Sequence, residues 1–105
     1  MNTERGDNSF QCIAILAERD IVRYSPAGIP IVAALLAHSS EQVEAGISRH
    51  VDFELPALAA GRIAGQLEQA QLGAMYRFHG FMARKSRKSR SMVFHLIDFE
   101  TISQI

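Results

Sequence analysis

The chain has 105 residues, 48% of them apolar, with eleven basic and eleven acidic side chains and a formal net charge of zero. That length makes one domain, able to bury about two-thirds of its unfolded surface, and the apolar content excludes a disordered chain. The longest apolar run, Ile29 to Ala37, falls far short of the ~20 residues of a membrane-spanning helix, and the N-terminal MNTERGDNS lacks the basic-then-apolar order of a secretory signal.

Residues 1–9 read as a flexible polar tail and residues 10–105 as the folded domain. Cys12 is the only cysteine. One thiol makes no internal disulfide, so Cys12 reads as a small buried strand residue in a cytoplasmic protein. Phe10 to Tyr24 is expected to form a strand pair, or one long strand kinked at Glu18–Arg19–Asp20. The following SPAGIP, Ser25 to Pro30, is a tight turn: Pro26 presets φ and Gly28 supplies a positive φ. Ile31 to His38 is so continuously apolar that both faces should be covered, one by the core and one by a partner subunit. Ser39 to Gly46 reads as an acidic connector.

Ile47 to Leu55 alternates cleanly, with Ile47, Val51, Phe53 and Leu55 on the apolar parity, and Pro56 should end the strand. Ala57 to Leu72 is helical in character, with Ala59, Ile63, Leu67 and Ala70 on one stripe and Gly73 just past its end. Ala74 to Ala83 is an aromatic-rich strand in which Gly80 marks a bulge or a close backbone approach. Ser91 to Phe99 is the last strand.

Between these two strands lies RKSRKSR, holding Arg84, Lys85, Arg87, Lys88 and Arg90. Both lysines of the protein are in this loop, so the zero net charge conceals a concentrated positive segment. Such a run repels itself unless an anion compensates it. The element order, three strands, a helix and two strands, is that of the OB-fold, a five-stranded Greek-key barrel whose one–two and four–five loops bind oligonucleotides. The basic run falls in the four–five loop.

SPAGIP at Ser25–Pro30, EAG at Glu44–Gly46 ahead of Pro56, GF at Gly80–Phe81 and MVFH at Met92–His95 together resemble the primosomal replication protein N (PriB) family, bacterial relatives of single-stranded DNA-binding protein. The resemblance extends from about Ile15 to Ile102. It implies a homodimer of all-β OB-folds, each with one short helix. Such a dimer would bind single-stranded DNA and help restart replication with the PriA helicase and other primosome components. It also implies a DNA-contacting set of Arg84, Lys85, Arg87, Lys88 and Arg90, with Arg49 and Ile47 on the third strand and Arg23 before the one–two turn. Ile47 and Asp52 stand where that family carries aromatic residues.

Enzyme chemistry finds no pattern. His38, His50, His79 and His95 are scattered without ligand spacing, and no phosphate-cradling or nucleophile-elbow motif occurs. His95 reads as a hydrogen-bonded core residue, and Tyr24, Phe53 and Phe81 as core before platform. No cofactor or metal is expected. Two other functions stay open: an OB-fold RNA binder, and an interaction module whose basic loop docks an acidic partner.

Overall fold

A computed structural model describes residues 6–102; residues 1–5 of the expected tail lie outside the described residues. The elements in chain order are β1 (Phe10–Arg19), β2 (Arg23–Tyr24), β3 (Pro30–Glu44), β4 (Ile47–Ala60), α1 (Arg62–Gln69), β5 (Met75–Arg84) and β6 (Met92–Thr101). Hydrogen bonding runs β1-β5-β6-β4-β3-β2, and a β1–β3 pairing from Ile15↔Ala37 to Arg19↔Ala34 closes the ring. The result is a closed five-stranded barrel with one short helix, β2 being a two-residue extension paired to β3. All pairings are antiparallel except β4 with β6, which run parallel at Ala57↔Phe94 and Leu58↔His95.

Alternation places Cys12, Ala14, Leu16, Val32, Leu36, Ala57, Ala59, Tyr76, Phe78, Phe94 and Leu96 inside the barrel. Ala64 and Leu67 of α1 are buried against them. Each large aliphatic or aromatic side chain buried in this way contributes about 1.5–3 kcal/mol. Small residues at 57 and 59 leave room for the helix. Arg19 tethers the helix C-terminus by donating to the carbonyls of Leu67 (3.1 Å) and Ala70 (2.5 Å), a cation where the helix dipole is negative.

Several expectations are corrected. Ser39 to Glu44 is not a connector: it continues β3 and pairs residue by residue with Ile47 to Asp52 across a two-residue turn at Ala45 (φ 54°) and Gly46 (φ 77°). Positive φ at both central positions is what a tight hairpin turn requires. The Ser39 to Glu44 arm projects beyond the core, so no hydrophobic alternation marks it as strand. Pro56 does not end β4. It pairs opposite Leu35, and the β6 pairing on the other edge begins only at Ala57, where the missing N–H costs nothing. The helix is correspondingly shorter than expected, because Ala57 to Ala60 belong to the barrel wall and Gly61 (φ 80°) turns the chain into α1. Phe10 to Tyr24 forms neither a mutual strand pair nor one strand: β1 bulges between Leu16 and Glu18, and β2 pairs with β3.

At Gly80 the strands approach closely, as expected. A Cβ there would lie 1.8 Å from the carbonyl oxygen of His95. The extra residue is on β6, where Ile97 has no opposite number, so β5 keeps its parity and Phe81 stays on the outward face. Beside Met82, the Asn8 amide behaves as a strand would, donating to Met82 O (2.8 Å) and accepting from Met82 N (3.1 Å).

Candidate nucleic-acid interface

The basic segment bridges β5 and β6 as a compact loop. Lys85 N donates to Ser91 O (2.9 Å), Ser89 N to Ser86 O (3.1 Å), and Ser91 N to Ser89 Oγ (2.9 Å). Arg84 Nη1 donates to Arg87 O at 2.9 Å. Arg84, Lys85, Arg87, Lys88 and Arg90 are all exposed, and among the described residues none of the five pairs with a carboxylate. Backbone and serine bonds and the Arg84 guanidinium shape the loop, and the heads of Lys85, Arg87, Lys88 and Arg90 are exposed to solvent.

Because β4 and β6 are parallel, the start of β6 and the start of β4 lie toward the same end of the barrel. The basic loop and the β3–β4 hairpin therefore project from one end. That hairpin carries Ile47, 67% exposed, and Arg49, whose Nη1 sits 2.6 Å from Glu44 Oε1. Arg49 is thus already engaged by an acid. Across the other face of the hairpin, His50 Nδ1 bonds Glu41 Oε2 (3.0 Å), and its Nε2 lies 3.3 Å from Asp52 Oδ2. The Glu41 bond, then the Glu41 and Asp52 charges, raise the His50 pKa above its ordinary 6.5. The same bond, then one from Ser48, lowers Glu41 below 4.5. Arg23 stands exposed on β2 beside the SPAGIP turn, at the opposite end of the barrel from the loop. So the structure brings together the five loop cations at the end where Arg49 and Ile47 project, and sets Arg23 apart.

Aromatic side chains expected in the core lie on the surface. Tyr24 is 67% exposed, Phe53 38% and Phe81 37%. Phe53 stacks on His38 with ring centres 4.8 Å apart, in a cleft of about 650 Å³ lined by Ile13, Ala37, Asp52, Glu54 and Met75 among others. Phe81 stacks on His95, so His95 is an outward, half-buried residue and not a core one. Phe81 is outward because it shares the parity of Arg77 and His79 on an unbroken β5. Phe53 escaped because β4 starts in the projecting hairpin and becomes buried only at Ala57 and Ala59.

Burial pushes the Cys12 thiol pKa up, which keeps it protonated. Beside it, His38 Nδ1 donates to Ile13 O at 2.7 Å. Among the described residues no three His, Cys, Asp or Glu side chains converge on a metal position.

A family model described as "Another single-strand binding protein family" matches residues 8–98. The replication restart protein PriB of Nitrosomonas europaea is 39% identical over 80 residues, which is 76% of this chain and 74% of that protein. The corresponding protein of Bordetella pertussis is 36% identical over 89 residues, 85% of this chain and 83% of that one. The solved structure of priB from Ralstonia solanacearum superposes with a TM-score of 0.83 at 39% identity, covering 92% of this chain and all of that one. The single-stranded DNA binding protein of Thermus aquaticus shares the fold at 23% identity, with a TM-score of 0.73 over 93% of this chain and 51% of that one. The barrel, its projecting hairpins and the sequence likeness agree, and the chain belongs to the replication restart protein PriB family of single-strand binding proteins.

Proposed function

We propose that this protein is a non-catalytic, cytoplasmic accessory factor of replication restart that binds single-stranded DNA through its basic β5–β6 loop. The observation that carries this is the loop itself: five exposed cations at one end of the barrel, without a carboxylate partner among the described residues. Arg84, Lys85, Arg87, Lys88 and Arg90 engage phosphates, and Arg49 and Ile47 border the same path. Phosphate must displace Glu44 from Arg49, so Arg49 adds less than a free cation would. Arg23 contacts a strand only if it crosses the barrel to the far end.

The protein acts as a homodimer alongside the PriA helicase and other primosome components. Support for the dimer comes from β1, where β3 pairs only from Ile15 onward, leaving the Phe10 to Ala14 edge without a strand on the side away from β5 among the described residues. Support for the partners comes from the named role of the relatives.

The test is fluorescence anisotropy with a labelled single-stranded oligonucleotide of about 30 nucleotides, long enough for one to several OB-fold sites. Wild type is compared with a variant in which all five loop cations are Ala. Five phosphate contacts correspond to a log–log salt slope of roughly −3.5 per protomer. Steeply salt-dependent binding by wild type that collapses in the variant is expected. No binding by wild type at low salt overturns the proposal.

A further inference from the structure

The outward parity of β5 carries Arg77, His79, Phe81 and Ala83. Arg77 and His79 face Glu100 and Asp98 across the strand pair, at 2.7 and 3.9 Å. Next in line, Phe81 faces His95, and the two rings stack 4.9 Å apart and 3° from parallel. Phe81 is 37% exposed, whereas its inward neighbour Phe78 is fully covered. A surface phenyl ring is thus held in one orientation without serving the core. Phe81 is three residues from Arg84, about 10 Å at the ~3.3 Å rise of a strand, so it lies at the foot of the cationic loop.

The other exposed rings are less suited to a nucleic acid. Phe53 is flanked by Asp52 and Glu54, which repel phosphate, and Tyr24 is at the opposite end of the barrel from the loop. Single-strand binders combine a cationic track with aromatic faces for the bases. We infer that the Phe81–His95 pair is a base-stacking platform: an unpaired nucleobase of the bound strand stacks on it while neighbouring phosphates engage Arg84 and Lys85. The inference rests on the proposed DNA binding by the loop and adds to it the place where the bases go.

The experiment compares wild type, Phe81→Leu and Phe81→Tyr on a thymidine oligonucleotide and on an abasic strand of equal length. Mass by light scattering and thermal midpoints are measured alongside. Phe81→Leu should bind the thymidine strand at least about fivefold more weakly, the low end of base–aromatic stacking, with the salt slope unchanged and no loss on the abasic strand. Phe81→Tyr, which keeps the ring, should retain affinity. A second measurement needs no variant: wild type irradiated with a bromodeoxyuridine strand should crosslink at Phe81 or His95. The inference is overturned if Phe81→Leu binds both strands as wild type does, loses affinity equally on both, or changes mass, or if crosslinks form only elsewhere. Wild type that binds neither strand removes the DNA-binding proposal itself. Wild type that binds normally, with Phe81→Leu unaffected, removes only the platform.

Discussion

Gly80→Ala should be among the most damaging single substitutions in the barrel. The added Cβ would lie 1.8 Å from His95 O, 2.9 Å from His95 C and 3.1 Å from Leu96 Cα, all main-chain atoms that cannot rotate away. Ordinary carbon–oxygen contact is about 3.3–3.6 Å, so β6 must retreat by roughly 1.5 Å. A ladder bond of about 2.9 Å would then exceed 4 Å and cease to be one. Losing two such bonds costs about 2 kcal/mol, and disturbing the packing of the buried Phe94 and Leu96 beside them adds about 1–3 kcal/mol. The sum, about 3–5 kcal/mol, is a large part of the 5–15 kcal/mol typical of a domain. At ~4–8 °C per kcal/mol the midpoint should fall by at least about 12 °C. Thermal and urea unfolding followed by circular dichroism measure this. A loss below about 1 kcal/mol would refute the argument that the close approach requires glycine.

Gly65→Ala should move the other way: Gly65 lies within α1 with open space around its missing Cβ, so alanine should stabilise by about 0.5–1 kcal/mol in the same unfolding assay. Arg87→Ala with Lys88→Ala removes two tip cations but leaves every loop hydrogen bond, because Arg87 contributes only its carbonyl. The salt slope of single-strand binding should fall from roughly −3.5 to roughly −2.1 with an unchanged melting midpoint, and an unchanged slope would show that DNA does not touch the tip. His50, raised above 6.5 by Glu41 and Asp52, stabilises the hairpin fully below 6.5, and that contribution is lost as pH rises through its raised pKa. Glu41, lowered below 4.5, contributes above 4.5 and loses its share as pH falls through its lowered value. The hairpin is therefore best held between these limits. An NMR titration should find the His50 midpoint above 6.5 and return it toward 6.5 in Glu41→Gln; a midpoint indifferent to that change would remove the pair.

Wherever a segment has one buried and one solvated face, the sequence was informative about the fold. The turn at Ser25–Pro30 and the close approach at Gly80 were legible, since proline and glycine carry direct physical signals. The Ser39 to Glu44 arm of the β3–β4 hairpin was not, because a polar strand standing in water has no apolar face to reveal it. Ala57 to Ala60 misled because alanine suits both a helix and a thin barrel wall, and tertiary packing decided between them. The basic loop was legible from charge alone, whereas the Glu44 partner of Arg49 and the ring stack of Phe81 on His95 depend on cross-strand register, which composition does not encode.

The Asn8 amide on Met82 has a consequence for what this protein excludes. Beyond the Phe10↔Gly80 pair, β5 has no strand on its β1 side among the described residues, and a bare stretch there would invite another polypeptide to extend the sheet. Asn8 occupies both main-chain groups of Met82 on that edge, leaving little of it before the loop begins. At Met82 the β5 edge is thereby closed to an added strand, whereas a polymer that binds through phosphates and rings needs none of its main-chain groups.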